Sequence, residues 1–64
     1  MAGMQEYRAY TVGPDGHFIG CEPLVCAGDK EAIDKARWLL SDHDIELWSG
    51  ARLVIRLIGE ANSP

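Results

Sequence analysis

Short β-favouring runs bounded by turn residues flank a single stretch of helical periodicity in this chain. Tyr7 to Val12, rich in Tyr, Thr and Val, predicts a first strand. Gly13-Pro14-Asp15-Gly16 follows as a turn, because proline presets φ, aspartate suits the next position and Gly16 can take positive φ. A three-residue loop closed by a glycine bulge sets Val12 opposite Phe18, Tyr10 opposite Gly20 and Arg8 opposite Glu22. That register pairs opposite charges and lays an aromatic ring over a glycine. The second strand runs from His17 to about Cys26, and Pro23, which has no N–H, places it at a sheet edge or a bulge.

Asp29 reads as the cap of a helix over roughly residues 30–42. Glu31 lies in its first turn and pairs with Lys35 at i+4. Ala32, Ile33, Ala36, Leu39 and Leu40 share one apolar arc, while Trp38 points to the charged side with Asp34 and Glu31. His43 falls near the helix C-terminus. Residues 44–48 and 52–58 form a second hairpin, whose Ser49-Gly50-Ala51 loop sets Ile45 against Ile55, Leu47 against Leu53 and Trp48 against Arg52. The expected fold is therefore α+β: ββαββ, a four-stranded, mainly antiparallel sheet with one helix on one face. It spans residues 1–64 as a single domain, with an ordered core of about 6–58 and frayed ends at 1–5 and 59–64.

One helix cannot cover both faces of such a sheet, so the uncovered face is the informative one. The helix side takes Ala9, Ile19, Cys21, Ile45, Leu47, Leu53, Ile55 and Leu57. The far side takes Arg8, Tyr10, Val12, Phe18, Glu22, Glu46, Trp48, Arg52, Val54, Arg56 and Ile58. Its mixture of aromatics, aliphatics and arginines matches interface composition, and a contiguous apolar patch in a monomer marks an interaction site. The candidate interface is Tyr10, Val12, Phe18, Trp48, Arg52, Val54 and Arg56. Solvated arginine cover over Trp48 is the bland alternative for the same residues.

Length sharpens that expectation. A 64-residue chain buries only about 60 % of the surface it exposes when unfolded. Its stability is then roughly 3–5 kcal/mol without a further support, which a second subunit would supply. The formal charge of −4 disfavours non-specific contact with phosphate backbones or anionic lipid. Aromatics and arginines on an open sheet also suit single-stranded nucleic acid, but the acidic balance and the lack of a lysine-rich rim count against it. No apolar run approaches the ~20 residues of a membrane helix, and Met1 to Glu6 lack the basic start and apolar stretch of a leader, so the expected compartment is the cytoplasm.

Candidate chemistry is sparse. Cys21 and Cys26 sit about 16 Å apart along an extended strand, beyond the roughly 7 Å a disulfide allows, and are expected as free buried thiols. His17, Cys21, Cys26 and His43 are zinc-type ligands at a spacing that does not suit zinc. No phosphate loop and no nucleophile–base pair stands out, so no catalytic, cofactor or metal residue is assigned. Tyr7-Arg8-Ala9-Tyr10, Gly13-Pro14-Asp15-Gly16-His17, Glu31-Ala32-Ile33 with Ala36, and Glu46-Leu47-Trp48 followed by Arg52 together resemble a group of small uncharacterised proteins of rhizobial-type alphaproteobacteria. The resemblance covers roughly residues 7–57 and implies fold and compartment only. The expectation is a non-enzymatic interaction or assembly module, a homodimer through its open face or a binder of another protein. The alternative is a ligand-binding or catalytic unit formed between subunits, lined by His17, Cys21, Tyr10 and Trp48.

Overall fold

The computed structural model describes residues 3–60. The elements are β1 (Gln5–Val12), β2 (Phe18–Cys26), α1 (Asp29–Leu39), β3 (Asp44–Ser49) and β4 (Arg52–Leu57). The strands form one antiparallel sheet in the order β2-β1-β3-β4, with α1 against one face. The fold is the expected α+β ββαββ. Each hairpin contributes one central strand, so β1 and β3 meet in the middle while β2 and β4 form the edges.

The first turn closes as anticipated. Gly16 N–H donates to Gly13 O at 3.0 Å, Gly13 N–H to His17 O at 2.7 Å, and Gly16 takes φ +87°. Val12 faces Phe18, but Thr11 then faces Gly20, which leaves Ile19 as the extra residue of a bulge. One inserted residue reverses side-chain parity beyond it. Tyr10 therefore faces Cys21 rather than Gly20, and Arg8 faces Pro23 rather than Glu22. Ile19 and Cys21, expected in the core, are exposed, and Glu22 crosses to the helix side opposite Ala9. Pro23 sits on the edge strand, where its missing donor is tolerated.

The second hairpin departs in the same manner. Ser49 faces Arg52, so the loop is the two residues Gly50-Ala51, with Gly50 at φ +60°. Positive φ at the first central position is the glycine requirement of a tight hairpin turn. Trp48 then faces Leu53 while Leu47 faces Ile55, and Val54 is the bulged residue. The bulge reconciles a two-residue loop with hydrophobic register further along the ladder. It also exchanges three expectations: Leu53 is exposed opposite Trp48, Val54 packs against the core, and Arg52 turns to the helix side.

The core lies under α1 and consists of Tyr7, Ala9, Cys26, Ala32, Ala36, Ile45, Leu47 and Leu57. Leu24, Ile33, Leu40, Val54 and Ile55 pack around it. Ala32 and Ala36 are fully buried, so the helix approaches the sheet through its smallest side chains. Trp38 is 89 % exposed on the opposite side, as its position predicts. The helix begins differently from expectation: Gly28 is the cap residue and makes no side-chain cap bond, while Asp29 is the first helical residue. Glu31 instead reaches back to accept from Ala27 N–H at 2.7 Å, satisfying a donor at the helix entrance, and lies 3.9 Å from Lys35. The helix ends at Leu39, earlier than 42, because Leu40 leaves it with ψ 132°. His43 accordingly lies past the helix end.

Regular structure and hydrogen bonding reach into the described part of both segments expected to fray. Gln5 belongs to β1, Gly59 is buried, and Glu60 N–H donates to Ser41 O at 2.9 Å. The other positions expected to fray, 1–2 and 61–64, lie outside the described residues.

Candidate protein interface on the open sheet face

Ladder partners share a face, so the register writes out the uncovered side in cross-strand rows. One row is Pro23, Arg8, Trp48 and Leu53; the next is Cys21, Tyr10, Glu46 and Arg56; the third is Phe18, Val12 and Asp44. Five of the seven candidate interface residues therefore meet here: Tyr10, Val12, Phe18, Trp48 and Arg56. Arg52 and Val54 do not, for the reason the β4 bulge provides. Leu53 is the residue that stands in Val54's place, 47 % exposed.

The face divides into two halves of different character. On β1 and β2, the rings of Tyr10 and Phe18 stack with centroids 4.6 Å apart and planes 14° from parallel. Val12, across the ladder from Phe18, is buried, Tyr10 is half-buried and Phe18 is 50 % exposed. Such a pair contributes about 0.5–1.5 kcal/mol beyond its area, and it fixes Phe18 as a rigid apolar platform. Glu6 and Arg8, on the same face two positions apart, carry no ion pair among the described residues.

On β3 and β4, polar groups satisfy one another. Trp48 Nε1–H donates to Glu46 Oε1 at 3.1 Å, and Arg56 donates to Glu46 Oε2 at 3.0 Å and to Asp44 Oδ2 at 2.9 Å. Asp44, almost fully buried, also accepts from Gly59 N–H at 2.8 Å. The Asp44 hydrogen bond, followed by its charge and that of Glu46, holds the Arg56 guanidinium above its ordinary pKa. Arg56, expected as an interface residue, lies on this face and bridges β4 to β3 through these bonds.

A second network ties the helix entrance to the sheet on the other face. Tyr7 O–H donates to Asp29 Oδ1 at 2.7 Å, and Arg52 grips the same carboxylate with both terminal nitrogens at 3.1 and 3.2 Å. The Arg52 hydrogen bond first and the Tyr7 hydrogen bond second lower the Asp29 pKa. Asp29 in turn raises those of Tyr7 and Arg52. Sequence reasoning missed this network because it took Asp29 as the helix cap; a carboxylate at the helix entrance was the visible signal.

The alternative lining set is dispersed. His17 is engaged in its own turn, where Nδ1 lies 2.8 Å from Asp15 Oδ2 and the imidazole lowers the Asp15 pKa. Cys21 lies across the ladder from Tyr10, and Trp48 is bonded to Glu46. Both cysteines are free, with Cys21 exposed and Cys26 buried. Among the described residues, no group of three or more His, Cys, Asp or Glu side chains is arranged to hold a metal ion. Among the described residues, no helix is long and apolar enough to cross a membrane. No family model, curated protein or solved structure matches the chain.

Proposed function

We propose that this domain is a small cytoplasmic interaction module that pairs with a second copy of itself through the β1/β2 half of the open face. The observation that carries the proposal is the Tyr10–Phe18 stack, which holds a half-exposed ring on a rigid support beside Val12. Rigid aromatic anchors next to a buried apolar floor are the features that dominate interface energies. Glu6 and Arg8 argue for a like partner. Both charge signs stand on this face without an ion pair among the described residues, and a second copy carries the same two. The thin core of a 64-residue chain adds a reason for self-association.

Sedimentation equilibrium across a concentration series tests this. Wild type shifts from monomer to dimer, while Phe18→Ser remains monomeric with an unchanged circular dichroism spectrum. A compact monomer at every concentration up to about millimolar overturns the proposal.

A further inference from the structure

The helix leaves part of its own face of the sheet uncovered. Because α1 stops at Leu39 and Leu40 turns away, the end of the sheet nearest the first turn has no helix above it. Two ladder rows form the floor there. One is Gly20, Thr11 and Ile45, and the next is Glu22 and Ala9. Leu39 supplies the wall, and with Cys21, which lies between Gly20 and Glu22 on β2, these residues enclose an open hollow of about 280 Å³.

The hollow exists because its floor is small. Gly20 has no side chain, yet a Cβ built there meets only the Thr11 side chain at 3.5–3.6 Å, an ordinary contact, and its φ is not in the left-handed region. Neither backbone strain nor crowding demands glycine at this position. What the glycine provides is space. At roughly the lower end of the ~300–1,000 Å³ range of ligand sites, that space admits a short alkyl chain and a single head group.

The lining defines the head group. Leu39 and Ile45 offer apolar contact on one side, and Thr11 and Glu22 offer oxygen atoms on the other. The Glu22 carboxylate has no ion pair or hydrogen bond among the described residues, and neither does the Thr11 hydroxyl. A carboxylate with a neighbouring hydroxyl acceptor attracts a donor cation and repels anions. We propose that this hollow binds a small primary alkylammonium ion, its N–H groups shared between Glu22 and Thr11 and its stem lying along Leu39 and Ile45. The site lies on the opposite face from the Tyr10–Phe18 platform, so it stands or falls independently of self-association.

Amide NMR of the full chain titrated with n-butylammonium tests the site, with n-butanol as an uncharged probe of the same stem. Gly20, Glu22 and Leu39 amides shift together and saturate with butylammonium, while butanol produces a markedly weaker response. Gly20→Val fills the hollow and abolishes the saturating shift. Glu22→Gln weakens binding roughly fivefold or more, as loss of a partly exposed charge pair requires. Equal shifts at the exposed carboxylates Glu6, Asp34 and Asp42 would mean generic cation association and overturn the site, as would equal binding of butanol or undiminished affinity in Glu22→Gln. Should Gly20→Val fail to fold, the Glu22→Gln comparison decides alone.

Discussion

The Tyr7 hydroxyl donates to Asp29 Oδ1 across 22 positions of sequence, and through that bond the centre of the sheet holds the first turn of the helix. Arg52 closes the arrangement from the edge strand. Tyr7 is only 1 % exposed, so packing around its ring fixes where its hydroxyl points. A helix whose cap residue is a glycine without a side-chain bond gains its anchoring from this carboxylate instead.

Acid should loosen that anchor in a defined direction. Hydrogen bonds from Arg52 and Tyr7 lower the folded-state pKa of Asp29, whereas the unfolded chain keeps the ordinary carboxylate value. The resulting stabilisation is fully present above the ordinary range and disappears as pH falls through the lowered value. Urea midpoints measured from neutrality down to about pH 2 should therefore decline in wild type and decline less in Arg52→Gln. Identical pH slopes in the two proteins would show that the ion pair does not couple to folding.

Alkali acts on the same contact from the other side. Asp29, through its hydrogen bond first, raises the Tyr7 pKa, so the stability it contributes is intact below the ordinary tyrosine value and lost as pH rises through the folded one. The chain contains two tyrosines, so Tyr10→Phe leaves Tyr7 as the sole phenol. Its absorbance titration should have a midpoint above about 10, and adding Asp29→Asn should bring the midpoint down. A midpoint unmoved by Asp29→Asn contradicts the structure's assignment of the donor.

The two cysteines should separate by reactivity. Cys21 is exposed at the edge strand and Cys26 is 0 % exposed in the core. A disulfide-exchange reagent under native conditions should consume one thiol quickly and the second only at the rate of opening. In Cys21→Ser the fast phase should vanish. Two fast thiols per chain would mean that β2 does not hold its end against the helix.

How far the sequence reaches is visible in β2. Phe18 was placed on the open face correctly because it precedes the bulge at Ile19, while Cys21 and Glu22, which follow it, were assigned to each other's faces. A strand's alternation has a period of two, so one uncounted residue inverts everything beyond it. The bulge at Val54 does the same to Arg52 and Leu53. The first turn, the presence of the helix and the pairing of β1 with β2 and of β3 with β4 have local signals and were legible, whereas the length of the second loop and the helix cap were not. The bulges carry no such signal, although Gly13 packs tightly beside the first of them: an added Cβ there would lie 2.9 Å from the Ile19 side chain. Tyr7 and Tyr10 are chemically alike, and only the position of the helix entrance makes one a core residue and the other a surface platform.

Gly59 was expected in a frayed tail, and its environment predicts instead a strict steric requirement. A Cβ there would stand 2.5 Å from Asp42 O and from the carbonyl carbon and oxygen of His43. These are backbone atoms, which cannot rotate away as a side-chain tip can. The close approach lets Gly59 N–H reach Asp44 Oδ1 at 2.8 Å, and Asp44 holds Arg56 with its other oxygen. Gly59→Ala must therefore shift the segment from residue 57 onward and loosen the Asp44 bridge together with the end of β4. Overpacking of this kind costs about 1–3 kcal/mol, a large share of the roughly 3–5 kcal/mol available to a domain this small. Asp44→Asn, which keeps an acceptor for Gly59 but loses the charge facing Arg56, should be milder than Asp44→Ala, which loses both. Chemical denaturation of the three variants checks the order. A Gly59→Ala protein within about 0.5 kcal/mol of wild type would show that the chain end is free to move aside, and that the Asp44 bridge does not depend on it.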